Sequence, residues 1–139
     1  MLFRSLVVLV RQWRHGVRRD CLEIPGGMLE PGEEGPLAAA RELLEETGYQ
    51  ASRVIPTGIV SSNPAIFTNH TFSYFAPDVV KIAEPDPDDG EDIDVVLKPL
   101  TDIPKLIASG EIDHSLVVAA FFHLANLSGG RIGALPILP

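Results

Sequence analysis

The stretch Gly27–Tyr49, GMLEPGEEGPLAAARELLEETGY, decides the reading of this chain. Its fixed points are Gly27, then Glu33 after five residues, then after seven more the run Arg41-Glu42-Leu43-Leu44-Glu45-Glu46-Thr47-Gly48-Tyr49. Pro36 suits a first helical turn, Leu37, Ala40, Leu44 and Thr47 recur at helical spacing, and Gly48 supplies a left-handed stop. One amphipathic helix is therefore predicted over residues 36–47. On it Glu42, Glu45 and Glu46 share a face. Like charges three and four apart cost roughly 0.2–0.5 kcal/mol per pair, and the C-terminal end of a helix disfavours anions.

Residues 33–47 hold five glutamates against one arginine, with no lysine to form the intrahelical pairs that excuse an acidic face. A solvated acidic face is the ordinary fate of Glu45-Glu46 taken alone. The whole pattern points elsewhere. Hard divalent cations take oxygen ligands, commonly one or two carboxylates together with substrate phosphates and waters, and this face offers three carboxylates. The turn Pro25-Gly26-Gly27 just before lets bare backbone approach a ligand or offer a carbonyl to a metal.

Residues 27–49 match every position of the Nudix box, and the chain resembles that family of hydrolases, which act on nucleoside diphosphates linked to another moiety. The resemblance implies an α/β (α+β) fold: a mixed β-sheet sandwiched between α-helices, with the box as a strand-loop-helix unit. It also implies a need for Mg2+ or Mn2+. By the same resemblance Glu45 and Glu46 hold metal, Glu42 is a ligand or the base that activates water, and Arg41 orients the acidic side chains. The carbonyl of Gly26 completes the metal shell, while Gly27, Glu33 and Gly48 shape the loop and its charge network.

Within the family the ADP-ribose pyrophosphatase subgroup is the most similar. The segments Gly90-Glu91-Asp92-Ile93-Asp94-Val95-Val96 and Leu106–Asp113 look like the C-terminal half of those enzymes. There a loop glutamate serves as base or extra ligand, and Glu91 matches it best, with Asp88, Asp89 and Asp92 as neighbours that an alignment by eye could substitute. Pro64, 16 residues past Gly48, is a further cue, although Ala65 and His70 replace the small glycine and acidic residue that usually follow. Arg11-Gln12-Trp13-Arg14 resembles the subgroup's strand ending, in which an arginine, here Arg14, neutralises substrate phosphate. Its ordinary reading is a surface arginine at a strand end. Trp13 suits an adenine stack or a dimer interface, and the interface is favoured. His70 is the histidine best placed to touch substrate, whereas His123, inside an apolar run, is a packed residue.

With 139 residues, 45% of them hydrophobic, the chain has enough material for one compact domain and too little for two, so residues 1–139 are read as one domain. A formal charge of −8 argues against a nucleic-acid surface, which needs clustered Lys and Arg. The longest apolar run near the C-terminus, Leu116–Ala125, is too short to span a membrane and is broken by His123, and Met1–Arg4 does not begin a convincing signal peptide. A cytoplasmic protein is expected. Cys21 is the single cysteine and reads as strand packing.

Strands are predicted at Ser5–Val10, Cys21–Ile24, Val54–Ser61, Thr71–Phe75 and Ile93–Leu97, with Arg11–Gly16 carrying the first into a turn. A helix capped by Thr101 should turn Ile103, Leu106 and Ile107 inward, and residues 115–126 should form a buried helix. The Pro-broken acidic stretch Glu84–Asp92 reads as a mobile loop able to close over the site. Relatives usually carry strands before the one that begins here near Phe3. Either those N-terminal strands are lacking, or a partner subunit covers the exposed sheet edge, or the chain is a truncated or internally initiated product; a homodimer is expected. The substrate reading is ADP-ribose, cut to AMP and ribose 5-phosphate. Its rivals are another nucleotide sugar, a dinucleoside polyphosphate, a nucleoside triphosphate, or a Nudix-fold module that binds a nucleotide without cutting it.

Overall fold

The computed structural model describes residues 5–87 and 89–130 of the chain. Its central ladder is β2-β1-β7, with β1 (Leu6–Arg14) between β2 (Arg19–Glu23) and β7 (Ile93–Pro99). β1 runs well past the expected Val10, because pairing with β7 carries it to Gln12 and pairing with β2 carries it on to Arg14, opposite Arg19. The hairpin closes where Arg18, at φ 55°, donates its N–H to the Arg14 carbonyl at 2.8 Å. Successive side chains alternate between faces. Leu9 and Leu22 point into a core completed by Leu100, Ile103, Leu106, Ile112, Val117 and Phe121. Val10, Gln12, Arg14, Cys21 and Glu23 therefore share the opposite face. Burying a side chain such as Leu9, Ile103 or Ile112, each fully enclosed, contributes about 1.5–3 kcal/mol.

The helix of the acidic stretch, α1 (Gly35–Thr47), has Pro36 in its first turn and ends at Gly48, whose φ of 73° is left-handed and whose N–H reaches the Leu44 carbonyl at 2.8 Å. The Gly48 carbonyl in turn accepts the N–H groups of Ile82 and Ala83 at 2.9 and 3.2 Å. A β-carbon at Gly48 would sit 2.0 Å from the Ala83 carbonyl oxygen, so the stop needs glycine on two counts. Of the expected Leu37, Ala40, Leu44 and Thr47, only Thr47 is fully buried. Leu37 is 63% exposed, and Ala38, Leu43, Glu46 and Thr47 are buried. The helix is rotated so that a carboxylate points inward.

Short β3 (Tyr49–Gln50) pairs with β6 (Val80–Lys81), and β4 (Ile55–Ser61) pairs with β5 (His70–Phe75). The α+β architecture of sheets and helices is as expected, and the described pairings are all antiparallel and fall into three sheets. After β7 a 3-10 turn, Leu100–Asp102, leads into α2 (Ile103–Ala108). Thr101 lies inside that turn and does not cap α2; the residue at the cap position is Asp102, and it makes no side-chain cap bond. Ile103 and Leu106 are buried and Ile107 packs beside them, as predicted.

α3 (Ser115–Leu127) is capped by His114, whose Nδ1 accepts the Leu116 N–H at 3.2 Å. Val117, Phe121 and Ala125 are buried at helical spacing, while Phe122 is exposed, so this helix is half-buried. His123 packs on β4: a β-carbon at Gly58 would lie 2.3 Å from its ring, and its Nε2 is buried with no hydrogen-bond partner among the described residues. The stretch 84–92 has no helix or strand among its described residues, and Asp88 lies outside them. The Asp86 N–H is tied to the Glu45 carbonyl at 2.7 Å, which brings this stretch against the end of α1.

Candidate active site

Arg41 organises the acidic stretch. Its Nε and Nη2 grip the two carboxylate oxygens of Glu33 at 2.9 and 3.0 Å, and Nη1 donates to Glu42 at 3.0 Å and to Glu45 at 2.9 Å. Nη2 also reaches the Met28 carbonyl at 3.3 Å. One planar guanidinium thus joins loop 28–33 to the outer turn of α1, a task that fits the forked donor geometry of arginine and not the point charge of lysine. The Glu33 carboxyl, also accepting the Glu30 N–H at 3.1 Å, is held below the usual carboxylate range by Arg41.

Glu42 stands directly over Gly27. A β-carbon there would meet its Oε1 at 2.2 Å, so only glycine admits this approach. Burial pushes the Glu42 carboxyl up, with Arg41 acting against the shift. Glu46 is only 3% exposed and accepts the Gly26 N–H at 3.2 Å. Burial, helped by the charges of Glu42 and Glu91, pushes its carboxyl up to about 7, while the Gly26 hydrogen bond and Arg14 hold it down. Glu91, exposed in the loop before β7, is thereby brought within electrostatic reach of both Glu42 and Glu46.

Arg14 closes the other side. Its Nε and Nη2 form a bidentate pair with Glu23 at 2.8 and 2.7 Å, and the hydrogen bond raises its already high pKa. It borders a cavity of about 390 Å³ lined also by Gln12, Trp13, His15, Gly90 and Asp92. The cavity therefore lies between the end of β1 and the loop that carries Glu91.

Four of the predicted site residues, Glu33, Arg41, Glu42 and Glu45, meet in one network, and Gly26, Gly27 and Glu46 adjoin it. Pro64 is exposed on the β4–β5 connection and His70 is the exposed first residue of β5, and no hydrogen bond or ion pair among the described residues links them to Arg41. The three carboxylates expected on one face divide instead: Glu42 and Glu45 are drawn to Arg41 Nη1, whereas Glu46 turns inward to Gly26. Accordingly, among the described residues no three His, Cys, Asp or Glu side chains converge on one point where they could hold an ion. The donors nevertheless fit a hard divalent cation: the set is all oxygen, bare Gly27 lets the Glu42 carboxylate stand against the backbone, and the buried Glu46 carboxyl has the Gly26 N–H and the charge of Arg14 to favour its ionised form. Glu23 was not visible as a site residue from the sequence, since β2 has charged residues at three of its five positions and one acid among them carries no periodic signal.

The chain matches the NUDIX domain family over residues 2–121. It is 32% identical over 133 residues to the ADP-sugar pyrophosphatase of Mus musculus, covering 87% of this chain and 58% of that one. It is 33% identical over 107 residues to the ADP-ribose pyrophosphatase of Bacillus subtilis (strain 168), covering 76% and 58%. To the ADP-ribose pyrophosphatase of Mycobacterium tuberculosis it is 30% identical over 133 residues, covering 94% and 64%. The chain thus spans less than two thirds of the length of these relatives. A solved structure described as an ADP compounds hydrolase superposes with a TM-score of 0.80 at 24% identity, covering 94% of this chain and 71% of that one, a likeness of fold. No described helix is long and apolar enough to cross a membrane. With the box from Gly27 to Tyr49 folded as a loop and helix around Arg41, and a family match over most of its length, this chain belongs to the Nudix family.

Proposed function

We propose that this domain hydrolyses a nucleoside diphosphate linked to a second moiety, with ADP-ribose as the leading substrate and AMP and ribose 5-phosphate as products. The observation that carries the reading is the Arg41 network, which holds Glu33, Glu42 and Glu45 together beside the buried carboxylate of Glu46. Glu42, Glu45, Glu46 and the Gly26 carbonyl would hold Mg2+ or Mn2+, which supplies charge neutralisation at the phosphate oxygens and a water of lowered pKa. Arg41 sets the carboxylates in place. Arg14 takes a phosphate oxygen, and Glu91 accepts the proton of the attacking water as its oxygen bonds to phosphorus and the bridging P–O bond breaks. Glu42, bonded to Arg41 and pressed on Gly27, is the second candidate base. Close like charges repel by several kcal/mol at intermediate dielectric, so an anionic substrate needs this compensation.

The mouse relative's name extends the second moiety to sugars generally. A homodimer in a cytoplasmic setting belongs to the same proposal. It is supported by the exposed cross-strand pair Ile59 and Phe72, by exposed Ile66 and Phe67 in the adjoining loop, and by Trp13, 43% exposed. The test is product identification from ADP-ribose, GDP-mannose, a dinucleoside polyphosphate and a nucleoside triphosphate, run with Mg2+ and Mn2+ in 18O-labelled water. Cleavage of ADP-ribose above the others, with label in one monophosphate product, supports the reading. Preference for another compound discards the substrate, and no cleavage of any discards the hydrolase.

A further inference from the structure

The pair between Arg14 and Glu23 is built unlike an ordinary stabilising ion pair. The Glu23 side chain is 5% exposed and uses both carboxylate oxygens on Arg14, whereas the Arg14 side chain is 42% exposed. Glu23 stands across the ladder from Val10, on a face where an apolar side chain would pack well. A buried carboxylate is expensive to desolvate, and replacing buried ion pairs by apolar groups is often neutral or stabilising. Stability alone therefore gives a poor account of an acid at this position. The partly exposed side chain of Arg14 gives a better one. Two of its nitrogens, Nε and Nη2, are taken by Glu23, and Nη1 makes no hydrogen bond among the described residues. Arg14 also borders the 390 Å³ cavity facing the Glu91 loop.

Glu23 and Gly26 come from one short segment, Glu23-Ile24-Pro25-Gly26, so the end of β2 addresses two charged groups at once. Its side chain holds Arg14, and the N–H three residues later holds Glu46. The positive and negative walls of the site thus share one support. Arg14 carries four rotatable torsions and would otherwise lose several of them on each binding event.

From this geometry we infer that Glu23 is a positioning residue: it clamps Arg14 at the mouth of the cavity between β1 and the Glu91 loop, leaving Nη1 directed to a phosphate oxygen of the nucleoside diphosphate. The inference rests on the hydrolase reading for the identity of the ligand, but not for the clamp. Glu23 touches no substrate; it acts through Arg14.

The experiment uses the whole chain and ADP as probe, comparing wild type, Glu23→Gln, Arg14→Gln and the double variant. Exchange of the Arg14 Nε–H is followed by NMR, ADP affinity by calorimetry, and Mn2+ affinity by electron paramagnetic resonance. The expected result is a slowly exchanging Nε–H in wild type that becomes fast in Glu23→Gln. ADP affinity falls roughly ten- to hundredfold in that variant, and the double variant is no weaker than Arg14→Gln. Mn2+ affinity, which a general loosening of the fold would lower, stays the same. If Glu23→Gln fails to fold, Glu23→Asp takes its place, with a smaller loss expected, and the wild-type exchange measurement stands regardless. An Arg14 Nε–H that exchanges as fast as that of exposed Arg11 overturns the inference. So do unchanged ADP affinity in Glu23→Gln, losses that add in the double variant, a parallel loss of Mn2+ affinity, or a wild type that does not bind ADP. A wild type that binds ADP through a protected Arg14 yet cleaves no compound refutes the hydrolase and leaves the clamp intact.

Discussion

The carboxylate of Glu46 accepts the backbone N–H of Gly26 at 3.2 Å, joining the last turn of α1 to the turn that follows β2, 20 residues earlier in the chain. An acid that is 3% exposed, with one hydrogen bond and two like charges within reach, is an unusual occupant of a helix's inward face. It marks where the fold gives up stability for a charged site.

Stability should therefore depend on pH in a defined direction. The Glu46 carboxyl is pushed up to about 7 in the folded protein, from an ordinary value of 4.5, chiefly by burial. Between those limits the folded state holds a proton that the unfolded chain releases. The protonated acid stabilises the fold below pH 4.5, and that contribution is lost as pH rises to 7, by roughly 2–3 kcal/mol for this group. Urea melts in chelator at pH 5, 6, 7 and 8 should show the decline, and Glu46→Gln should flatten it. An equal slope in the variant would mean that Glu46 is not the group responsible.

Two glycines at opposite ends of the box should fail in different ways. Alanine at Gly27 collides with Glu42 Oε1, the movable end of a long side chain, so the fold gives way cheaply while the carboxylate is displaced. Gly27→Ala should melt within about 1 kcal/mol of wild type and lose most of its turnover. Alanine at Gly48 meets the Ala83 backbone and a left-handed φ, neither of which can yield, and should cost roughly 1–3 kcal/mol. Melting and turnover of both variants check this, and equal stability losses would contradict it.

The two candidate bases separate by metal affinity. Glu91→Gln should lower kcat roughly 10²–10⁴-fold with little change in Mn2+ binding, as expected of a group that only moves a proton. Glu42→Gln should weaken both, because its carboxylate shares Arg41 with Glu45. The converse pattern would transfer the role of base to Glu42.

Much of this was legible in the chain itself. Residues 27–49 announced a helix that begins one residue earlier than predicted and ends at Gly48 as expected, and they singled out Arg41 among acids. The strands at Ile55–Ser61, His70–Phe75 and Ile93–Pro99 follow from β-branched and aromatic runs with breakers between them. β3 and β6 escaped notice because two residues carry no period. The inward face of α1 was misread for a physical reason. Apolar periodicity assumes that charges face water, and this helix buries Glu46 and leaves Leu37 in solvent. Glu23 was hidden by the same assumption. That Arg14 faces a carboxylate depends on the β1–β2 register, which places Arg14 opposite Arg19 and leaves Glu23 on the same face, a pairing the sequence does not state.

The most direct test of the central claim is cleavage of ADP-ribose by the wild type and by Glu45→Gln, each with Mg2+, with Mn2+ and with chelator. Glu45 shares Arg41 Nη1 with Glu42 but lies on the outer turn, so the substitution should leave the fold intact. The account predicts cleavage that requires the metal, stops in chelator, and falls at least roughly 10²-fold in the variant. Cleavage that persists in chelator, or that is unaffected in Glu45→Gln, would contradict it.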